Sequence, residues 1–318
     1  MLAYIAAIGV GFALLLWGAD RFVTGASALA RTLGVSPLVI GLTVVGFGTS
    51  APEMLVSAVA AWQGSPGIAV GNALGSNITN VGLVLGLTAL VTPLAVRSET
   101  LRREFPILLA IMLVVLLLLL DGEMARWNGL VLLAGMGWVA YWMVSLGLRE
   151  AADPMAGEYE QELPPPMPLA RALLWLALGL ALLLVSSRML VWGAVGIAEA
   201  LGVSDLVIGL TVVAIGTSLP ELAASLVGAL KGEHDIAIGN VLGSNMFNLL
   251  AVLGIAGALA PHTLDPQVLT RDFAVMAGFT LALFAMAFGF RRQGRINRLE
   301  GALLFAAYGV YVGVLYQS

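Results

Sequence analysis

The chain has no cysteine in its 318 residues. That excludes a disulfide framework, thiolate-ligated metal and thiol chemistry. Charge is scarce too: 11% of residues are charged, against about 25% in a soluble domain. With 60% hydrophobic residues and a mean hydropathy of +0.98, too little polar surface remains to solvate a globule, so the chain is expected to be a polytopic membrane protein. The formal net charge of −4 says little when most of the chain sits in lipid. No basic run suited to nucleic acid is present, which removes that class of partner. No GxxxxGK[ST] pattern occurs, so nothing points to ATP as the driving force. Residues 1–17 lack a positively charged start and a clear small-residue cleavage site. They read as the first span rather than a removed signal peptide.

What is present is long apolar runs. About 20 apolar residues cross a hydrocarbon core of roughly 30 Å. On that measure about ten spans are expected, at 2–30, 37–62, 68–91, 101–120, 127–146, 169–199, 206–230, 236–259, 273–290 and 297–316. The second should break at GTSAP and the third should loosen at Gly75. Between the fifth and sixth spans lies a polar segment, 149–168, with five acidic residues and three consecutive prolines. A charge-rich loop of this kind is usually solvated. His234 and Asp235 fall in a short expected cytoplasmic loop, where a single histidine makes a poor metal site.

The chain repeats itself. Residues 34–93 align with 202–261 without a gap, and about half the aligned residues are identical. The expected organisation is therefore a first five-helix repeat (1–148), an acidic cytoplasmic linker (149–168) and a second five-helix repeat (169–318). An odd number of spans per half inverts the second half relative to the first. In such duplicated transporters the site forms near the midplane, between the repeats. Arginine distribution sets the orientation. Arg31, Arg102, Arg103, Arg149, Arg291 and Arg292 gather on one side, and little beyond Arg126 and Arg271 lies on the other. The first side is expected to be cytoplasmic in the cell membrane, with both termini outside.

Within the repeat, GLTVVGFGTSAPE (41–53) returns as GLTVVAIGTSLPE (209–221). A charged residue in the middle of a span costs about 2.5–3.5 kcal/mol on insertion scales. Glu53 and Glu221 both sit deep in apolar sequence, which reads as an ion ligand rather than a carboxylate at a headgroup. Pro52 and Pro220 lack an N–H and should free the carbonyls of Gly48 and Gly216. Thr49 and Ser50 share the helix face of Glu53 if the turn stays near-helical, and Thr217 and Ser218 share that of Glu221. Carboxylate, hydroxyl and carbonyl are hard oxygen donors, suited to Na+ or Ca2+.

A second pair of motifs comes next, GNALGSNITN (71–80) and GNVLGSNMFN (239–248). Asn72, Ser76 and Asn80 form one polar stripe, and Asn240, Ser244 and Asn248 repeat it. Tight packing between helices is an alternative use of such residues. It accounts for Gly71, Gly75, Gly239 and Gly243 better than for the terminal asparagines. If the inverted halves meet, Glu53 and Glu221 approach and repel. One Ca2+ or two Na+ would balance them, so the same site would hold either ion but not both.

GTSxPE followed by GSNxxN, present twice in a duplicated half with an odd number of spans, resembles the two alpha-repeats of the cation/calcium exchanger superfamily. Within it the chain is similar to bacterial and archaeal sodium/calcium exchangers. The resemblance covers the whole chain. It implies an all-α fold of ten transmembrane helices in two inverted five-helix repeats, with the site built by the second, third, seventh and eighth. The first and sixth would slide across the rest. By position, Glu53 and Glu221 would bind both Ca2+ and Na+. Asn80, Thr49, Ser50, Ser76, Thr217, Ser218 and Ser244 would complete the ligands, with the carbonyls of Gly46 and Ala214. Some relatives, including potassium-dependent ones, carry Asp where this chain has Asn248, and two terminal amides argue against K+ dependence. The proton-coupled branch carries a different motif in place of GTSxPE, which favours Na+ as the driving ion.

The expected function is therefore an antiporter with Ca2+ and Na+ as substrates, the bilayer as its solvent, no cofactor and no obligate protein partner. An H+-coupled or K+-dependent cation antiporter and a passive cation channel are competing readings. An intramembrane enzyme with the glutamates as acid and base is a further one, but no nucleophile or metal-binding histidine lies near the motifs.

Overall fold

The computed structural model describes residues 1–35, 46–96, 99–149, 165, 167–232, 234–288 and 294–316. The helices are α1 (Leu2–Thr32), α2 (Gly46–Thr49), α3 (Ala51–Trp62), α4 (Pro66–Val91), α5 (Glu99–Leu119), α6 (Arg126–Arg149), α7 (Leu169–Leu201), α8 (Asp205–Thr217), α9 (Leu219–Lys231), α10 (His234–Leu259), α11 (Val268–Ala287) and α12 (Arg298–Leu315). Residues 36–45, which begin the expected second span, and most of the acidic linker lie outside the described residues.

The apolar runs predict ten spans of membrane length. Among the described residues seven helices are long and apolar enough to cross, or eight if α8 and α9, bent by 41°, count as one. The shortfall has a physical cause at one place. The helix stops at Ser50, whose backbone (φ −84°, ψ 0°) leaves the α region, and Pro52 sits in the first turn of α3. A proline is tolerated there because that N–H has no helical partner anyway. Beyond the break, α3 is only 12 residues long. Ser218 (φ −82°, ψ 5°) and Pro220 repeat the device between α8 and α9. The other short apolar helix is Glu104–Leu119 within α5, which has Pro106 in its interior.

Two helices form the centre. The apolar windows of α4 and α10 are 78% and 89% buried, whereas those of the other long spans are 22–39% buried. A helix that is apolar on all sides belongs inside, and these two carry the asparagine and serine motifs. The third span does not loosen at Gly75. Its α geometry runs through Thr79 and changes to a π turn at Asn80–Leu85, and α10 does the same at Asn248–Val252. π turns inside α-helices are frequent at functional sites. Gly75 is instead a point of close approach, as the packing alternative held. A Cβ there would stand 2.7 Å from Leu210 Cα and 2.8 Å from Ala214 Cβ. Gly243 does not copy this role, since a Cβ on it would meet nothing within 4 Å. His234 and Asp235 form the start of α10 rather than a loop, and Asp235 is buried.

α1 and α7 run antiparallel along one another. Gly11, Gly18 and Gly25, one heptad apart, face Leu190, Leu182 with Gly179, and Leu176 with Ala172 in turn. Arg21 pairs with Asp20 at 3.4 Å and lies 5.6 and 4.8 Å from the ring centres of Trp17 and Trp175.

Four short strands tie the halves together. β1 (Leu94–Ala95) pairs antiparallel with β4 (Arg295–Ile296), and β2 (Glu123–Met124) pairs with β3 (His262–Thr263). β1 precedes α5 and β2 follows it, so the two small sheets stand at opposite ends of that helix.

Candidate cation site

The two helix breaks meet the two central helices in the middle of the protein. Glu53 leaves the first turn of α3, Glu221 the first turn of α9, and both are fully buried. They lie close enough to repel. Neither takes part in an ion pair among the described residues.

Around them hydrogen bonds cross between the halves. Thr49 Oγ1 donates to Asn240 Oδ1 at 3.2 Å, and its repeat image Thr217 Oγ1 donates to Asn72 Oδ1 at 3.1 Å. Asn72 Nδ2 donates to Ser57 Oγ at 2.9 Å and to the Glu53 carbonyl at 3.2 Å. Asn240 Nδ2 makes the matching bonds to Ser225 Oγ and the Glu221 carbonyl, both at 3.4 Å. Asn72 and Asn240 therefore brace the helix breaks through the backbone. The carbonyls of Gly46 and Ala214 each accept the amide of the break serine, at 3.4 and 3.1 Å, and the threonine hydroxyl of the same turn.

The symmetry then fails in one respect. Ser50 Oγ donates to Ser244 Oγ at 2.9 Å, Asn80 Nδ2 donates to the same oxygen at 3.2 Å, and Ser244 donates onward to Glu221 Oε1 at 3.1 Å. On the other side Ser76 turns to Asn72 Oδ1 at 3.3 Å. Thr217 and Ser218 stand beside the Glu53 carboxylate, yet neither of its oxygens has a hydrogen-bond partner. One oxygen of Glu221 accepts a hydrogen bond, and neither oxygen of Glu53 does.

Six buried side-chain oxygens of the expected set are without a hydrogen bond: Glu53 Oε1 and Oε2, Glu221 Oε2, Asn80 Oδ1, Asn248 Oδ1 and Ser218 Oγ. Leaving one such group unmet costs about 1–3 kcal/mol. A cluster of them is retained only if something else satisfies it. Two carboxylates with neutral amide and hydroxyl oxygens, and no sulfur or imidazole, can hold a hard cation, and Ca2+ takes about 6–8 oxygens. Among the described residues no group of three or more His, Cys, Asp or Glu comes together. The cluster is of another kind, because half of its donors are uncharged.

The structure brings Thr49, Ser50, Glu53, Ser76, Asn80, Thr217, Ser218, Glu221 and Ser244 into this one network, with Gly46 and Ala214 at its backbone edge. Asn248 stands in a separate pair, donating to Asn77 Oδ1 at 3.2 Å, and Asn80 donates likewise to Asn245 Oδ1 at 3.0 Å. Asn77 and Asn245 lie outside the four-residue stripe, so helical spacing misses them. Their signal is repetition: both recur at the same offset as the glutamates.

Known proteins resemble the chain along almost its whole length. The profile of the sodium/calcium exchanger protein family matches residues 3–145 and 171–317. A putative antiporter, CaxA, from Alkalimonas amylolytica is 54% identical over 97% of this chain and 97% of its own. The inner membrane protein YrbG of Escherichia coli (strain K12) is 42% identical over 99% of this chain and 98% of its own. A solved structure of the sodium-calcium exchanger NCX_Mj, soaked with Na+ and Sr2+, superposes with a TM-score of 0.69 at 34% identity, covering 98% of each chain. With the profile spanning both halves and relatives matched end to end, this multi-pass membrane protein belongs to the sodium/calcium exchanger family.

Proposed function

We propose that the chain is a secondary antiporter that exchanges Na+ for Ca2+ across the cytoplasmic membrane by alternating access at one shared carboxylate site. The observation that carries this reading is the set of six unpaired buried oxygens, with both carboxylates among them. Glu53 and Glu221 supply two negative charges. One Ca2+ neutralises them, and so do two Na+, which makes the occupants mutually exclusive. Thr49, Ser50, Ser76, Asn80, Thr217, Ser218, Ser244 and Asn248 serve as neutral ligands or hold those ligands in place, with the Gly46 and Ala214 carbonyls.

The site lies between two inverted five-helix halves, 1–148 and 169–318, joined by the 149–168 linker. The strand pairing supports the inversion. β1 and β3 follow equivalent central helices, α4 and α10, yet they belong to sheets at opposite ends of α5. The α1–α7 pair is the candidate moving part. Glycine contacts lock the two helices to each other, so they would travel as one body. Both termini face outward in this arrangement.

The deciding experiment is radiolabelled Ca2+ uptake into proteoliposomes with Na+, K+ or H+ gradients imposed in turn. Uptake driven by an outward Na+ gradient alone is the expected result. Uptake driven by a pH gradient without Na+ would move the chain to H+ coupling. Flux with no counter-ion would make it a channel.

A further inference from the structure

Asn80 and Asn248 end the polar motifs of the two halves, and both carbonyl oxygens are left bare. An amide can present either its oxygen or its NH2 group, and only the oxygen can ligate a cation. Something must choose the orientation. In each half an asparagine of the other half takes part in the choice, by itself at Asn248 and together with Ser244 Oγ at Asn80. Asn80 Nδ2 donates to Asn245 Oδ1 at 3.0 Å, and Asn248 Nδ2 donates to Asn77 Oδ1 at 3.2 Å. Each bond commits an NH2 group to the facing helix, so the Oδ1 of the same amide is turned away from that contact.

Asn77 and Asn245 are themselves poor packing residues. Both are buried. Asn245 Nδ2 has no partner, and Asn77 Nδ2 reaches only the sulfur of Met276 at 3.4 Å. An apolar side chain would avoid the unmet donor. What these residues provide is their acceptor oxygens, each committed to the amide across the interface.

We propose that Asn77 and Asn245 are positioning residues of the cation site: each fixes the amide of the opposite half with its carbonyl oxygen toward the ion. This rests on the exchanger reading above. The arrangement keeps the site at two negative charges while adding two oriented neutral oxygens. It also makes each half complete a ligand belonging to the other.

The test is a double-mutant cycle read by Ca2+ titration calorimetry on the purified full-length protein and by Na+-driven Ca2+ uptake. Removing a residue that orients a metal ligand weakens affinity about 10–100-fold. Asn245→Ala is therefore expected to raise the Ca2+ dissociation constant and the KM for Ca2+ by that factor, with maximal uptake retained. In an Asn80→Ala background the same substitution should add nothing, because the amide it orients is gone. Asn77→Ala with Asn248→Ala forms an independent cycle with the same expectation, and it decides the matter if Asn245→Ala does not fold. Equal fold-losses with and without Asn80, or unchanged affinity in the singles, overturn the proposal. Wild-type protein that neither binds Ca2+ nor takes it up would instead overturn the exchanger reading, and the two failures are told apart by that control.

Discussion

Ser50 and Ser244, from opposite halves, share a 2.9 Å hydrogen bond, and their repeat images Ser218 and Ser76 do not. Ser244 passes the contact on to Glu221 Oε1 at 3.1 Å. The two carboxylates are equivalent in sequence and unequal in structure. Truncating Ser244 leaves Ser50, the Asn80 amide and one oxygen of Glu221 each short of a partner. Truncating Ser76 strands only its contacts to Asn72 and Thr217. Ser244→Ala should therefore weaken Ca2+ binding more than Ser76→Ala. At about 1–3 kcal/mol for an unmet buried group, and a factor of ten per 1.4 kcal/mol, the loss is roughly five- to a hundredfold. Calorimetric titration of both variants measures it, and equal losses would mean the inequality has no bearing on binding.

Charge removal at the glutamates is expected to act more sharply. Glu53→Gln or Glu221→Gln keeps size and some polarity but leaves one negative charge for a divalent ion. Na+-driven Ca2+ uptake should fall to background in both, while the protein still inserts and elutes as wild type does. Retained wild-type flux in either variant would take that carboxylate out of the mechanism.

The cost of burying a charge made these glutamates legible in sequence, and the constant repeat offset made the hydroxyls beside them legible as a set. Helical periodicity on one chain segment found Asn72, Ser76 and Asn80 because they lie four apart. It could not find Asn77, which is off that stripe and acts on a residue of the other half. Contacts between halves depend on how two copies dock, and no single helix encodes that. The π turn at Asn80–Leu85 was also hidden, since the segment contains no proline and reads as ordinary helix. Gly75 looked like a weak point for the same reason that it is a contact point: it has no side chain. Only the position of Leu210 and Ala214 distinguishes the two.

Packing between α1 and α7 supplies a prediction with an internal control. A Cβ on Gly25 would stand 2.5 Å from Leu176 N and 2.7 Å from Ala172 O, both backbone atoms that cannot turn aside. A Cβ on Gly9 of the same helix would meet nothing within 4 Å. Gly25→Ala should force the pair apart at about 1–3 kcal/mol, the usual cost of overpacking. Gly9→Ala should be neutral or stabilising by up to about 1 kcal/mol through helix propensity. Thermal melting in detergent reads the sign of each change. If Gly25→Ala melts with wild type, the two helices are not held at the observed distance.

Asn248→Asp tests the charge count directly. In wild type the Asn248 NH2 donates to Asn77 Oδ1. An aspartate has no such donor, so Asn77 would have to present its own NH2 group instead, giving up its contact with Met276. The exchange is sterically small, because Asp and Asn have the same shape. Its electrostatic effect is large: three carboxylates would meet where two were balanced by one Ca2+. Like charges in a buried site are tolerated only when a further cation joins them. Ca2+ flux in the variant is therefore expected to acquire a dependence on a second monovalent ion, K+ or H+, that wild type lacks. Uptake assays with K+ and pH varied at fixed Na+ gradient would detect it. A profile superimposable on wild type would mean that residue 248 does not face the transported ion, and the six-oxygen set would lose one of its members.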